Sequence, residues 1–327
     1  MPWEQEEQKP AEEKPVPQPQ EDKKPMTISQ TLIKKLIDKN QEDVECCPFQ
    51  IYHQFFAPKK LRSMPTIPMR YGSYGESLML GANATDEEYT MPSLLNGKKP
   101  IDMQRVESQA LELWPIHQTK LGISIVKNMN TQVPIYVQYG AFVIRGVLDL
   151  FPTPIFLDGE LKFAVVDIKF TGDVDSTHGD YCWGKPEWMD HIQADLYSWM
   201  LGTIDVDFCK KMDKEFDVRV GYDTIFTPTV KKLLKEKKFT FVYCILGYKK
   251  QDLKNQFLVV ERNFWNAADK MLKDKELSER LRKTIARIGY LNSIKWKPNP
   301  HYSRCQSCPV AKTFGGPCEY EKQTRTL

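Results

Sequence analysis

Three stretches decide the fold: GVLDL (146–150), FAVVDIKF (163–170) and DHIQADLYSWML (190–201). Side chains alternate faces along a strand, so residues two apart share one. In FAVVDIKF, Asp167 and Lys169 therefore point one way while Val166 and Ile168 point into the core. An acid and a base inside an apolar strand are costly to bury unless they are paired or bound to a metal. A second carboxylate, Asp149, ends the β-type run AFVIRGVLDLF (141–151). Two aspartates on neighbouring strands would offer hard oxygen ligands suited to Mg²⁺. The third stretch reads as part of an amphipathic helix over 187–201, with Trp188, Ile192, Leu196 and Trp199 on one stripe. Gln193 and Tyr197, at i and i+4, share an adjacent face.

The composition frames this centre. The chain has 327 residues, 41% of them hydrophobic, which is enough for a sizeable core. Its net charge is +3, unevenly spread: residues 1–25 hold seven acids, four bases and six prolines. That composition cannot bury enough apolar surface to order itself and is expected to be a disordered tail. The remainder carries 42 bases against 36 acids, a modest excess that permits nucleic-acid binding without requiring it. No apolar run is long enough for a membrane span and no signal-peptide pattern opens the chain. The expectation is a cytoplasmic protein with no membrane partner, whose eight cysteines are core residues, metal ligands or nucleophiles rather than disulfides.

Outward from the centre, Thr27 or Ser29 can cap a helix through TLIKKLIDKN, and Pro48 suits the first turn of another bearing Phe49, Tyr52, Phe55 and Phe56. Glu76 falls in a helix expected to start near Gly72; taken alone it reads as a surface residue. DMQRVESQALELW (102–114) is helical in pattern and LGISIVKN (121–128) is β-prone. The polar loop 171–187 offers Asp173 and His178 as residues that can touch a substrate or metal, although a lone loop histidine is more often solvated. The lysine run 231–238 reads as a solvated face, FTFVYCILGY and QFLVVER as a hairpin, and 263–290 as a long charged helix.

Near the C-terminus, Cys305 and Cys308 form a CxxC and Cys318 follows in a Gly/Pro-rich stretch. Thiolates of this kind select Zn²⁺, Cu(I) or iron–sulfur clusters. A fourth ligand would come from Cys46 or Cys47, since Cys244 lies within an apolar strand.

Taken together, residues 27–320 resemble the PD-(D/E)XK nuclease superfamily, in its RecB/AddB-like and CRISPR-associated iron–sulfur branch. IRGVLDL resembles the G-x-x-D strand, VVDIKF the (D/E)-x-K strand and QADLY the Q-x-x-x-Y helix. GSYGE resembles the G-x-x-x-E of lambda-exonuclease-like members, with Glu76 where many relatives carry a histidine. The resemblance implies an α/β fold: a restriction-endonuclease-like core with a central mixed β-sheet flanked by helices and a cysteine-cluster C-terminal segment. It implies a single domain over 26–327, with N-terminal helices at 26–80, a catalytic core at about 133–261 and a C-terminal helix and cysteine segment at 263–327.

The implied catalytic set is Asp149, Asp167, Lys169, Glu76, Gln193 and Tyr197. Asp149, Asp167, Glu76 and the Ile168 carbonyl would hold Mg²⁺ or Mn²⁺, and Cys47, Cys305, Cys308 and Cys318 a [4Fe–4S] cluster. The nine residues before the last cysteine exceed the usual gap, which keeps Zn²⁺ as the alternative. The implied activity is Mg²⁺-dependent DNA hydrolysis in recombination, repair or processing, by an exonuclease on ends or single strands. The rival readings are a non-catalytic nucleic-acid-binding module and a partner-dependent subunit of a recombination or CRISPR-like complex. The chain has no GxxxxGK[ST] motif, so a helicase partner would be a separate protein.

Overall fold

The computed structural model describes residues 26–36, 47–57, 66–81, 99–126, 129–178, 181–216, 220–265, 270–297, 308, 310 and 317–318. The tail 1–25, Cys46 and Cys305 lie outside them. The strands are β1 (Thr27–Ile28), β2 (Thr131–Tyr139), β3 (Phe142–Leu157), β4 (Glu160–Thr171), β5 (Thr240–Gly247) and β6 (Phe257–Arg262). The helices are α1 (Gln30–Leu36), α2 (Pro48–Ile51), α3 (Ile67–Leu80), α4 (Ile101–Ser108), α5 (Trp114–Leu121), α6 (Ile192–Gly202), α7 (Val206–Phe216), α8 (Tyr222–Ile225), α9 (Pro228–Lys235) and α10 (Lys270–Ser293).

The architecture is α/β, a six-stranded mixed sheet flanked by helices. Its order is β1-β3-β4-β5-β6, with β2 also paired to β3. β4 and β5 run parallel, while the β2–β3, β3–β4 and β5–β6 pairs are antiparallel. Every residue of β5 is buried, as expected of a strand covered on both faces. Val165, Phe241, Tyr243 and Ile245 pack with α6 in one core, and Val166, Ile168, Val242, Cys244 and Leu246 with α3 and α5 in a second. The strict alternation along β4 and β5 produces this division. Cys244 is thus a core residue. Among the described residues, no helix is long and apolar enough to cross a membrane.

Four local expectations change. The long charged helix runs over Lys270–Ser293 rather than 263–290, because residues 263–265 turn to bury Phe264 in the core. The helix bearing Glu76 begins at Ile67 rather than near Gly72: the Thr66 hydroxyl accepts from Met69 N–H and Pro68 sits in the first turn. Residues 123–126 form no strand, because the Asn130 side chain accepts from Val126 N–H and donates to the Ser124 carbonyl. This local closure competes with a ladder, and pairing starts only at Thr131. Trp188 does not join the α6 stripe. It ends a short 3₁₀ turn, Met189 is extended, and the indole is 63% exposed. The lysines of 231–238 are solvent-exposed, as their composition suggests.

Candidate active site

The antiparallel β3–β4 ladder registers Leu150 with Val166, and the adjoining residues are Asp149 and Asp167. Here the strand pairing gives way to side-chain bonding. Asp149 Oδ2 accepts from Ile168 N–H at 2.9 Å, and its Oδ1 accepts from Gln132 Nε2 at 3.1 Å. Asp167, 2% exposed, forms an ion pair through Oδ2 with Lys169 Nζ at 2.6 Å, while its Oδ1 accepts from Gln193 Nε2 at 2.8 Å. The i, i+2 spacing of Asp167 and Lys169 therefore produces a direct pair, and α6 is anchored to it through Gln193.

Tyr197, one helical turn beyond Gln193, is buried against β3 directly over Gly146. A Cβ at Gly146 would stand 2.8 Å from the Tyr197 ring, so the close approach of α6 to β3 requires glycine there. α3 approaches β4 in the same way: a Cβ on Gly75 would lie 2.4 Å from the Phe170 ring. This seating sets the neighbouring Glu76 within electrostatic reach of Asp149, Asp167 and Lys169.

Among the described residues the charges in this cluster do not balance, since three carboxylates share one ammonium. Burial and the proximity of Asp149 push the Glu76 carboxyl up to about 8. Burial, augmented by Asp149 and opposed by Lys169, pushes Asp167 up to about 7. Asp149 is raised too, chiefly by burial. Burial alone would lower Lys169, yet Asp167, Asp149 and Glu76 hold it well above its ordinary value. Tyr197 is pushed up to about 12 by burial and Asp167.

Taken by themselves, the described residues contain no group of three His, Cys, Asp or Glu arranged as a ready metal cage; the carboxylates are ranged around Lys169. The donor chemistry nevertheless fits a hard dication, which would relieve the repulsion that drives these acids toward neutrality.

Asp167 and Glu76 bind protons more tightly folded than unfolded, so their contribution is present at low pH and is lost as pH rises through about 7 and 8. In chelator, the melting midpoint is expected to fall between pH 6 and 8, and Mg²⁺ at pH 8 to recover it. A midpoint that rises with pH across that window would contradict the charge arrangement.

Asp173 and His178 stand apart from this centre. Asp173 pairs with Lys250 at 2.8 Å and accepts from Asp175 N–H, and His178 is exposed beside Thr177. Sequence reasoning missed Gln132, which adopts φ 51° inside the β2 register. A left-handed glutamine carries no sequence signal, since that region favours Gly, Asn and Asp. It also missed Tyr243, paired with Asp167 across β4–β5 and raised by burial and by Asp167.

Of the cysteines, Cys47 precedes α2, and Cys308 and Cys318 are half-buried. With Cys305 outside the described residues, the four-thiolate set remains an expectation. The rings of Tyr52 and Phe56 lie 5.8 and 5.1 Å from that of Trp296, so the chain just after Cys47 meets the end of the α10 segment that leads to the other three.

No protein-family model matches the chain, and no curated protein matches it significantly.

Proposed function

We propose that this chain is a metal-dependent deoxyribonuclease of the PD-(D/E)XK type, hydrolysing phosphodiester bonds in DNA recombination, repair or processing. The observation that carries this reading is the convergence of Asp149, Asp167 and Glu76 on Lys169 at the point where β3 and β4 diverge. Mg²⁺ or Mn²⁺, held by the three carboxylates and the Ile168 carbonyl, would supply Lewis acidity and an activated water.

The protein's own groups divide the remaining work. Gln132 and the Ile168 N–H fix Asp149, and Gln193 fixes Asp167, so the ligands need little reorganisation. Lys169 is protonated while the carboxylates are charged, and it can offset the negative charge that grows on the phosphate. With those carboxylates neutralised, burial favours the neutral amine, and Lys169 would first lose its proton to solvent. Lys169 can then accept a proton from the attacking water. Tyr197 positions this set by packing over Gly146.

The test is cleavage of single-stranded, blunt and circular DNA in EDTA, then in Mg²⁺ or Mn²⁺. The expected result is cutting only with metal, and preferential loss of linear DNA marks an exonuclease. Binding without metal-dependent cutting would overturn the reading in favour of a nucleic-acid-binding module.

A [4Fe–4S] cluster on Cys47, Cys305, Cys308 and Cys318 is the proposed closure between the two ends of the fold, supported by the Tyr52 and Phe56 contacts to Trp296. Anaerobically purified protein is then expected to be brown and to contain iron and sulfide. Stoichiometric zinc without iron would replace the cluster by a structural Zn²⁺ site.

A further inference from the structure

Gln193 reaches Asp167 from the first turn of α6, and two carboxylates flank it in the chain, Asp190 before it and Asp195 after it. Each is gripped by an arginine from another element. Arg280 of α10 donates through Nη1 to Asp190 Oδ1 at 2.9 Å and to Oδ2 at 3.0 Å. Arg262, at the end of β6, donates to Asp195 through Nε at 3.0 Å and Nη2 at 3.3 Å. Asp190 Oδ1 also accepts from Ile192 N–H at 3.2 Å, so the same carboxylate caps the helix that Arg280 holds.

A cavity of about 350 Å³ lies between the start of α6 and α10, and Asp190, Asp195, Arg262 and Arg280 stand in its wall. Across that gap the helix start is held by charge. An arginine that grips a carboxylate at two points fixes direction as well as distance. All four side chains are partly exposed, and ion pairs in such places add little to stability. What they constrain is where the start of α6 sits. The tolerance there is small: a shift of about 1 Å would stretch the 2.8 Å bond from Gln193 to Asp167 beyond hydrogen-bonding range.

We propose that Arg262 and Arg280 are positioning residues for the Asp149–Asp167–Lys169 centre: by clamping Asp195 and Asp190 on either side of Gln193, they hold its amide on Asp167 and so fix that carboxylate for a divalent cation. Both act through the helix, not on the cation or the phosphodiester. The consequence for cleavage rests on the nuclease reading above, whereas the clamp itself rests on the two ion pairs.

The test reads the clamp without cleavage, on the full chain labelled with ¹⁵N in its glutamine side chains. In EDTA, the Gln193 amide, identified by its loss in Gln193→Ala, is expected downfield through its bond to a carboxylate. In Arg262→Gln and in Arg280→Gln it moves toward the position of exposed glutamines, while the melting midpoints stay near wild type. Mg²⁺ affinity, measured by calorimetry, weakens about tenfold in each, the lower end of what partners of metal ligands contribute. Because the arginines act through Gln193, adding either substitution to Gln193→Ala weakens Mg²⁺ binding no further. A Gln193 amide that stays in place in both arginine variants overturns the clamp, and so do losses of Mg²⁺ affinity that add to that of Gln193→Ala. Wild-type protein that shows the expected amide and Mg²⁺ responses yet never cuts DNA overturns the nuclease reading and leaves the clamp standing. Metal-dependent cutting by wild type, with the amide unmoved in both variants, does the reverse.

Discussion

Cleavage by Lys169→Ala and by Asp167→Asn is expected to fall about 10³-fold or more, while the two variants part company in stability. The loss of rate follows from what each group would do at the reacting phosphate. A positioned proton acceptor contributes about 10²–10⁴-fold, and one electrostatic stabiliser about 10²–10³-fold. The difference in stability follows from the charge count. In Asp167→Asn, two carboxylates remain for one ammonium, and a buried acid pushed up to about 7 has gone. The amide can keep a hydrogen bond with Gln193, so the midpoint in chelator at pH 8 is expected to hold or rise. In Lys169→Ala, three carboxylates are left without their cation. Removing one partner of a buried pair typically costs about 3–5 kcal/mol. Here protonation of the acids limits the loss, which should therefore grow with pH and shrink when Mg²⁺ is added. Thermal melts with and without Mg²⁺, beside a cleavage assay, measure all of this. Undiminished cleavage in both variants would sink the assignment of the site.

The contrast between Asp167 and Gln132 shows what was legible in the sequence. Asp167 and Lys169 could be read because the strand period is short and strict: Val166 and Ile168 are fully buried, and the intervening charges emerge on the other face. Gln193 and Tyr197 were legible for the same reason at the helical period. Glu76 became visible only through its spacing after Gly72, since its helix carries no charge pattern pointing to the sheet. Gln132 could not be read at all, because its role depends on a left-handed backbone placed by the β2–β3 register. Trp188 was misread because i, i+4 spacing presumes an unbroken helix. The extended Met189 interrupts it and turns the indole outward. Periodicity thus located residues inside regular elements, and failed where a side chain's position is set at the junction between two of them.

The junction between α3 and the sheet gives the second large effect. Gly72 and Gly75 lie one turn apart on α3, and on an exposed helix either change to alanine would stabilise by about 0.5–1 kcal/mol. Their surroundings differ. A Cβ at Gly72 meets nothing within 4 Å, whereas at Gly75 it would stand 2.4 Å from Phe170 ring atoms. Phe170 directly follows Lys169 and is wedged between the second core and the Tyr71–Tyr248 cluster, so the ring has little room to turn away. Helix α3 must lift instead. Overpacking of this kind costs about 1–3 kcal/mol, which outweighs the gain in helix propensity and reverses the sign. The lifted helix carries Glu76 away from Asp149 and Asp167, and a displacement of about 1 Å can cost about 10²-fold in rate. Gly72→Ala is therefore expected to raise the melting midpoint and leave cleavage intact. Gly75→Ala is expected to lower both, and the chelator-dependent fall in stability above pH 7 should weaken as Glu76 leaves the cluster. If Gly75→Ala instead raises the midpoint as Gly72→Ala does, α3 is not seated on Phe170, and Glu76 loses its place beside the aspartates.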